Sequence, residues 1–219
     1  MFDCVLLMAG SGLRAGFPYN KIKYKINNKA VYEYSLDLFL GMKDVNRIVL
    51  VCKEDEIDDF IHLKSDRVFV CKGGKRRQDS VLNGLRECVS DVVLIHDAAR
   101  PNIVLDELYK LYEACLKYDA AVLAVRENNA LKEVSEGFVN KSLDRSCLWQ
   151  MQTPQAVKRD MMISSLEKID YMIYDDIQAL ELVYGIKAFV IEGRYENFKL
   201  TTEIDFKLME ILLGDKNEK

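Results

Sequence analysis

CVLLMAGSGLRAGFPYNK, residues 4–21, decides how the rest of the chain is read. The run from Cys4 to Met8 is apolar and uncharged, then breaks into Ala9-Gly10-Ser11-Gly12. A short apolar run ending in glycines has the pattern of a buried parallel strand feeding a tight loop. Glycine at such a junction lets the backbone take positive φ and bring its own N–H groups close to a ligand. Successive amides of this kind form an anion-binding nest, and Arg14 and Lys21 stand where cations would line its rim. The stretch reads as a phosphate loop.

Spacing narrows the kind of loop. A P-loop ends in Gly-Lys-Ser/Thr, which this stretch lacks. A dinucleotide fingerprint is G-x-G-x-x-G, whereas Gly10, Gly12 and Gly16 give G-x-G-x-x-x-G. The acidic residue that should follow about 20 positions later falls at Glu33 or Asp37, inside a helical pattern. What remains is a nucleotidyltransferase loop, in which the amides of Ala9, Gly10, Ser11 and Gly12 hold a triphosphate and the cations face its α-phosphate. The plainer alternative is a glycine-rich strand–helix turn that binds nothing.

Outward from the loop, apolar residues recur at helical spacing over 31–42, 53–64, 77–88 and 104–118, with β-branched or apolar strand runs at 47–52, 67–71, 91–95 and 120–125. Strands alternating with helices predict an α/β fold, a mostly parallel sheet covered on both faces. The alternation breaks over 126–153, where 132–134 and 138–143, joined by Ser135-Glu136-Gly137, predict a small hairpin. Helices are expected again over 158–168, 175–184 and 203–213, with a strand over 187–192. With no repeat and no linker, residues 1–219 read as one domain carrying a β-arm at about 127–152.

Composition excludes several classes. With 31 basic and 35 acidic residues, the net charge of −4 supplies no global field for nucleic acid, so any anion must be held by a local cluster. Six cysteines occur with no C-x-x-C spacing, and two distant histidines cannot form a histidine-based zinc site. Neither a signal peptide nor an apolar span of membrane length is evident, which predicts a cytoplasmic protein without membrane contact.

Ligands in open α/β sheets gather beyond the carboxyl ends of the strands, and the remaining clusters fall there. Gly73-Gly74-Lys75-Arg76-Arg77-Gln78-Asp79-Ser80 joins glycines and cations to a helix start, with Gly74 and Ser80 placed to meet a nucleotide; a solvated basic turn is the alternative. His96-Asp97-Ala98-Ala99-Arg100-Pro101 follows an apolar strand, so Asp97 is placed to hold Mg²⁺ and Arg100 to fork an oxyanion; a structural Asp–Arg pair closing a turn would look the same. His96 reads as a packed, hydrogen-bonded residue and not as a base. Arg145, with no apolar periodicity around it, and Lys199, after the last strand, are candidate phosphate contacts or plain surface cations. Trp149 reads as a packing anchor, and Asp175-Asp176 as caps of the following helix.

Taken in order, A-G-S-G-L-R (9–14), Lys21, G-G-x-x-R-x-D-S-V (73–81), H-D-A-A-R-P (96–101), D-R-x-x-L-W-x-x-x-T-P-Q (144–155) and E-G-R…N-x-K-x-T (192–201) resemble the 2-C-methyl-D-erythritol 4-phosphate cytidylyltransferase family of isoprenoid biosynthesis. The resemblance implies a Rossmann-like nucleotidyltransferase fold and a homodimer whose arms complete each other's sites. It implies that Ala9, Gly10, Gly74 and Ser80 bind CTP, with Asp97 beside a Mg²⁺ or other divalent cation. Arg14 and Lys21 would stabilise charge at the α-phosphate, while Arg145, Thr153 and Lys199 would hold the phosphate of a polyol phosphate acceptor. The chain departs from the family pattern at Asn20-Lys21-Ile22 in place of Pro-Lys-Gln, at Lys75 in place of an acid, at Asn129-Ala130 in place of Asp-Thr, and at Tyr174 in place of threonine. Two alternatives share the loops: a ribitol 5-phosphate cytidylyltransferase, and a degenerate nucleotide-binding protein with a regulatory role.

Overall fold

The computed structural model describes residues 1–10 and 17–214. Strand β1 (Phe2–Leu7) is followed by the short pair β2 (Lys25–Ile26) and β3 (Lys29–Ala30), helix α1 (Val31–Gly41) and β4 (Val45–Cys52). Helix α2 (Ile57–Phe60), β5 (Val68–Lys72), α3 (Arg77–Glu87), β6 (Val92–Asp97), α4 (Leu105–Tyr118) and β7 (Ala120–Arg126) continue the alternation. The arm is β8 (Lys132–Ser135) and β9 (Phe138–Ser142), and the chain ends through β10 (Trp149–Lys158), α5 (Arg159–Lys168), α6 (Asp176–Tyr184), β11 (Phe189–Glu192) and α7 (Glu203–Gly214).

Seven strands form one sheet in the order β11-β7-β10-β6-β1-β4-β5. All neighbours run parallel except β10, which lies antiparallel between β6 and β7. β1 alternates its side chains between the two faces, as a doubly covered strand must. Cys4 and Leu6 pack with Leu36 and Phe39 of α1 and Leu108 and Leu111 of α4, while Val5 packs with Val81 and Leu85 of α3 and Leu180 of α6. Each such fully buried side chain contributes about 1.5–3 kcal/mol relative to exposure. A third cluster seats α7 through Phe206 and Met209 on Ile26, Val31 and Leu200.

Gly84 explains how α3 reaches the sheet closely enough to aim its N-terminus at the site. A Cβ there would lie 2.6 Å from Val5 Cγ1 and 2.8 Å from Val51 Cγ2, so any larger residue would lift the helix away. The switch in strand order falls at β1, whose successor β4 lies on one side and β6 on the other. Ligand crevices form at such points.

Three elements differ from the sequence-based expectation. The largest is β10: residues 149–155, expected at the base of the arm, begin a ten-residue central strand. Its Gln152, Thr153 and Gln155 are polar and Pro154 lacks a donor, features that argue against a central strand. Pairing with β7 is irregular between Met151 and Gln155, and Pro154 sits in that interval. The helix expected over 53–64 is instead a succession of two 3-10 turns around the four-residue α2. The β2–β3 pair was not anticipated. The small hairpin forms where it is expected: Glu136 and Gly137 both take positive φ (51° and 85°), the signature of a two-residue primed hairpin turn.

Candidate active site

The carboxyl ends of β1 and β6 lie side by side, with Leu7 paired in register to Asp97. Above them opens a cleft of about 270 Å³. Five basic side chains (Lys21, Lys75, Arg76, Arg77 and Lys199) and one carboxylate, Asp97, line it among the described residues. Such an excess of positive charge in a concave, partly dry site favours a polyanion.

Asp97 is the pivot. One oxygen accepts from Arg77 Nε at 3.2 Å and the other from Lys199 Nζ at 2.7 Å. Burial by itself would raise the Asp97 pKa, but Arg77 and Lys199 outweigh it and hold the carboxyl well below the usual carboxylate range. Asp97 is therefore ionised. Arg77 in turn donates from both terminal nitrogens to Asp176, at 2.7 and 2.8 Å, and Asp176 has no exposed surface. Asp176 thus does not cap α6; that role falls to Asp175 alone, which accepts from Gln178 N at 3.0 Å.

The second glycine loop shapes the opposite wall, where Gly74 and Ser80 both line the cleft. Ser80 Oγ accepts from Gly74 N at 3.0 Å, tying the loop to the first turn of α3 and the positive end of its dipole. A Cβ on Gly74 would stand 2.2 Å from Asp79 Cβ, so glycine is required there by close approach. Ala9 and Gly10 line the cleft as well. Gly10 corrects one expectation, since it lacks positive φ and a Cβ there would meet nothing within 4 Å among the described residues. Ser11, Gly12 and Arg14 lie outside the described residues.

Lys21 lines the cleft from a 3-10 turn, Lys21–Lys23. Asn20 fixes that turn: its amide donates to Met8 O at 2.7 Å and to Glu56 at 2.8 Å, and its Oδ1 caps Ile22 N. Lys199 is placed by Leu200 N bonding Ala99 O at 2.8 Å, and by the fully buried Asn197, whose amide donates to Thr153 O at 3.0 Å.

Three expected ligand contacts are placed elsewhere. Thr153 does not line the cleft; its hydroxyl accepts from Asp97 N at 3.0 Å and meets His96 Nδ1 at 3.1 Å. Because the Arg100 carbonyl can only accept, His96 Nε2 carries the proton toward it at 3.1 Å, and Thr153 donates to Nδ1. Both hydroxyl roles of Thr153 are taken, so it props the backbone of Asp97. Burial lowers the His96 pKa to about 4, in keeping with a neutral packed residue. Arg100 also lies off the cleft, donating to Asn197 O at 2.7 Å. Arg145 stays on the arm, where it donates to Asn128 O, and is not a lining residue. Trp149 is half-buried, with the Arg126 guanidinium 4.4 Å from its ring centroid.

Sequence reasoning missed Arg77, Asp176 and Asn20. Arg77 stood out only as one of three consecutive cations and as the arginine of G-G-x-x-R-x-D-S-V, with no role assigned, and nothing local marks Asp176 as its partner.

A family model described as 2-C-methyl-D-erythritol 4-phosphate cytidylyltransferase matches residues 3–215. An enzyme of that name from Geobacillus thermodenitrificans is 35% identical over 225 residues, covering 98% of each chain. Another from Clostridium tetani is 37% identical over 216 residues, covering 94% of this chain and 87% of its own. The solved 4-diphosphocytidyl-2C-methyl-D-erythritol synthase from Anaerococcus prevotii superposes with a TM-score of 0.85 at 27% identity, covering 98% of this chain and 96% of its own. The motifs, the parallel sheet with its carboxyl-edge cationic cleft, and these full-length matches converge: the chain belongs to the 2-C-methyl-D-erythritol 4-phosphate cytidylyltransferase family.

Proposed function

We propose that the chain transfers the cytidylyl group of CTP to 2-C-methyl-D-erythritol 4-phosphate, forming 4-diphosphocytidyl-2-C-methyl-D-erythritol and pyrophosphate. The observation that carries the reading is a single carboxylate among five cations, counted over the described residues, at the carboxyl edge of the sheet in a chain matched to this family over residues 3–215. An oxygen of the acceptor phosphate attacks the α-phosphorus in line, and the bond to the bridging oxygen breaks as pyrophosphate leaves with its electron pair. Such chemistry needs positioning and charge stabilisation and no protein nucleophile. Ala9, Gly10, Gly74 and Ser80 are assigned to the nucleotide, Lys21 to the charge growing at the α-phosphate, and Lys199 to the acceptor's phosphate. Arg14 is assigned beside Lys21 from its sequence position.

Among the described residues no group of three His, Cys, Asp or Glu side chains could hold a metal ion. Magnesium commonly takes one or two carboxylates and completes its shell with phosphate oxygens and water, so the lone Asp97 of this cleft fits Mg²⁺ arriving with the triphosphate. When bound, the ion supplies neutralisation of phosphate charge.

The homodimer belongs to the same proposal. Val134, Phe138 and Val139 of the arm are 56%, 75% and 63% exposed, and Arg145 stands away from the cleft of its own chain. A second copy would cover the arm and receive Arg145 at its acceptor side. No helix among the described residues is long and apolar enough to cross a membrane.

Pyrophosphate release with CTP and Mg²⁺ tests the reading, comparing 2-C-methyl-D-erythritol 4-phosphate with ribitol 5-phosphate. Release with the first alone is expected. Release with the second alone moves the protein to another acceptor, and silence with both overturns the assignment.

A further inference from the structure

Asp97 presents two oxygens, and both are held: one by Arg77 Nε at 3.2 Å, the other by Lys199 Nζ at 2.7 Å. The two cations are anchored very differently. Arg77 makes three charge-assisted hydrogen bonds, two of them a fork onto Asp176, which has no exposed surface and lies 99 positions away in sequence. Lys199 makes one such bond from a flexible stem; both side chains are about a third exposed, so the difference lies in the number of bonds each would give up.

Pulling Arg77 off this pair of carboxylates would strand the buried charge of Asp176, a state strongly disfavoured in a low-dielectric interior. Moving Lys199 away leaves Asp97 still paired to Arg77. An arriving phosphate therefore draws Lys199 and not Arg77, and one oxygen of Asp97 is released as Lys199 leaves. From this asymmetry we infer that Asp176 is a positioning residue: it locks Arg77 onto Asp97 so that Lys199 is the cation that exchanges Asp97 for a substrate phosphate. The inference rests on the cytidylyltransferase reading of the cleft. Asp176 touches no substrate in this scheme and acts through Arg77.

The test uses the full chain and three variants: Asp176→Asn, which keeps shape and removes charge, Arg77→Met, and the double variant Arg77→Met/Asp176→Leu. The double variant exchanges the pair for apolar side chains of comparable volume, a replacement that buried ion pairs commonly tolerate in folding. Turnover is expressed per CTP-binding site counted by calorimetry, so that misfolded protein does not enter. Asp176→Asn is expected to lower kcat about tenfold with the KM for CTP changed less than about threefold, the signature of lost alignment. The double variant is expected to lose no more than Arg77→Met alone, because residues acting as a unit are not additive.

Wild-type kcat per site in Asp176→Asn, or losses that multiply in the double variant, would overturn the inference. A second readout is independent of turnover. In ¹⁵N-arginine spectra, the Arg77 Nε–H signal is expected to exchange slowly in the wild type and to vanish in Asp176→Asn; its survival there would refute the lock. A wild-type protein that releases no pyrophosphate would overturn the functional reading, while the spectra still decide the lock.

Discussion

Acidification from pH 8 to pH 5 is expected to remove about 2 kcal/mol of folding stability through His96 alone. The imidazole is fully buried, with Nδ1 accepting from Thr153 and Nε2 donating to the Arg100 carbonyl, so it sits neutral and away from water. Burial lowers its pKa from 6.5 to about 4. In the unfolded chain it titrates near 6.5, so between these values the unfolded state binds more protons and stability falls as pH falls. The contribution is complete above pH 6.5 and lost progressively toward pH 4. At pH 5 the unfolded imidazole lies about 1.5 units below its pKa while the folded one stays neutral, and at 1.36 kcal/mol per unit this is about 2 kcal/mol. Well below pH 4 the loss would approach about 3 kcal/mol, the full shift. Asp97, whose folded pKa is depressed, loses its contribution only below the ordinary carboxylate value of 3.8 and does not mask the window. The other histidine, His62, is exposed. Urea midpoints at pH 8, 7, 6 and 5 for the wild type and His96→Gln supply the measurement. The buried Asp176 carboxyl, raised by desolvation, acts in the opposite sense, so the decisive quantity is the difference between the two proteins: a variant with the same slope as the wild type from pH 7 to 5 would refute the reasoning.

Three further outcomes are expected. Lys21→Ala should lower kcat on the order of 10²–10³, as for removal of one transition-state charge stabiliser, and near-normal turnover would sink its assigned role. Gly74→Ala places a methyl group 2.2 Å from Asp79 Cβ and 3.0 Å from the Asp79 carbonyl carbon, so the loop must shift; about 1–3 kcal/mol of stability and at least tenfold in CTP affinity should be lost, by urea melts and calorimetry. Arg145→Ala should raise the KM for the acceptor and leave CTP affinity alone, whereas a weakened CTP titration would contradict its placement on the acceptor side.

Legibility in the sequence followed the range of the physics. The strand ending at Leu7, the strand ending at Asp97 and the helix beginning at Arg77 were visible because apolar periodicity and glycine punctuation act within a few residues. Those same signals placed Ala9, Gly74, Ser80, Asp97, Lys21 and Lys199 near one sheet edge, and the structure gathers them around one cleft. β10 was invisible for the complementary reason. Its buried glutamines and Pro154 contradict local strand preferences, and its place between β6 and β7 follows from pairing with both.

The alternation of strands and helices, the glycine loops at their ends and the family pattern could all be read from the chain, because each is encoded within a short window. Which way the polar side chains turn depends on the folded neighbourhood. Thr153 and Arg100 stand within matching motifs yet spend their hydrogen bonds on the Asp97 backbone and on Asn197, while Arg77 finds a buried carboxylate on a distant helix. A side chain's partner is chosen by what the sheet order brings alongside it, and a buried polar group must take the partner it meets.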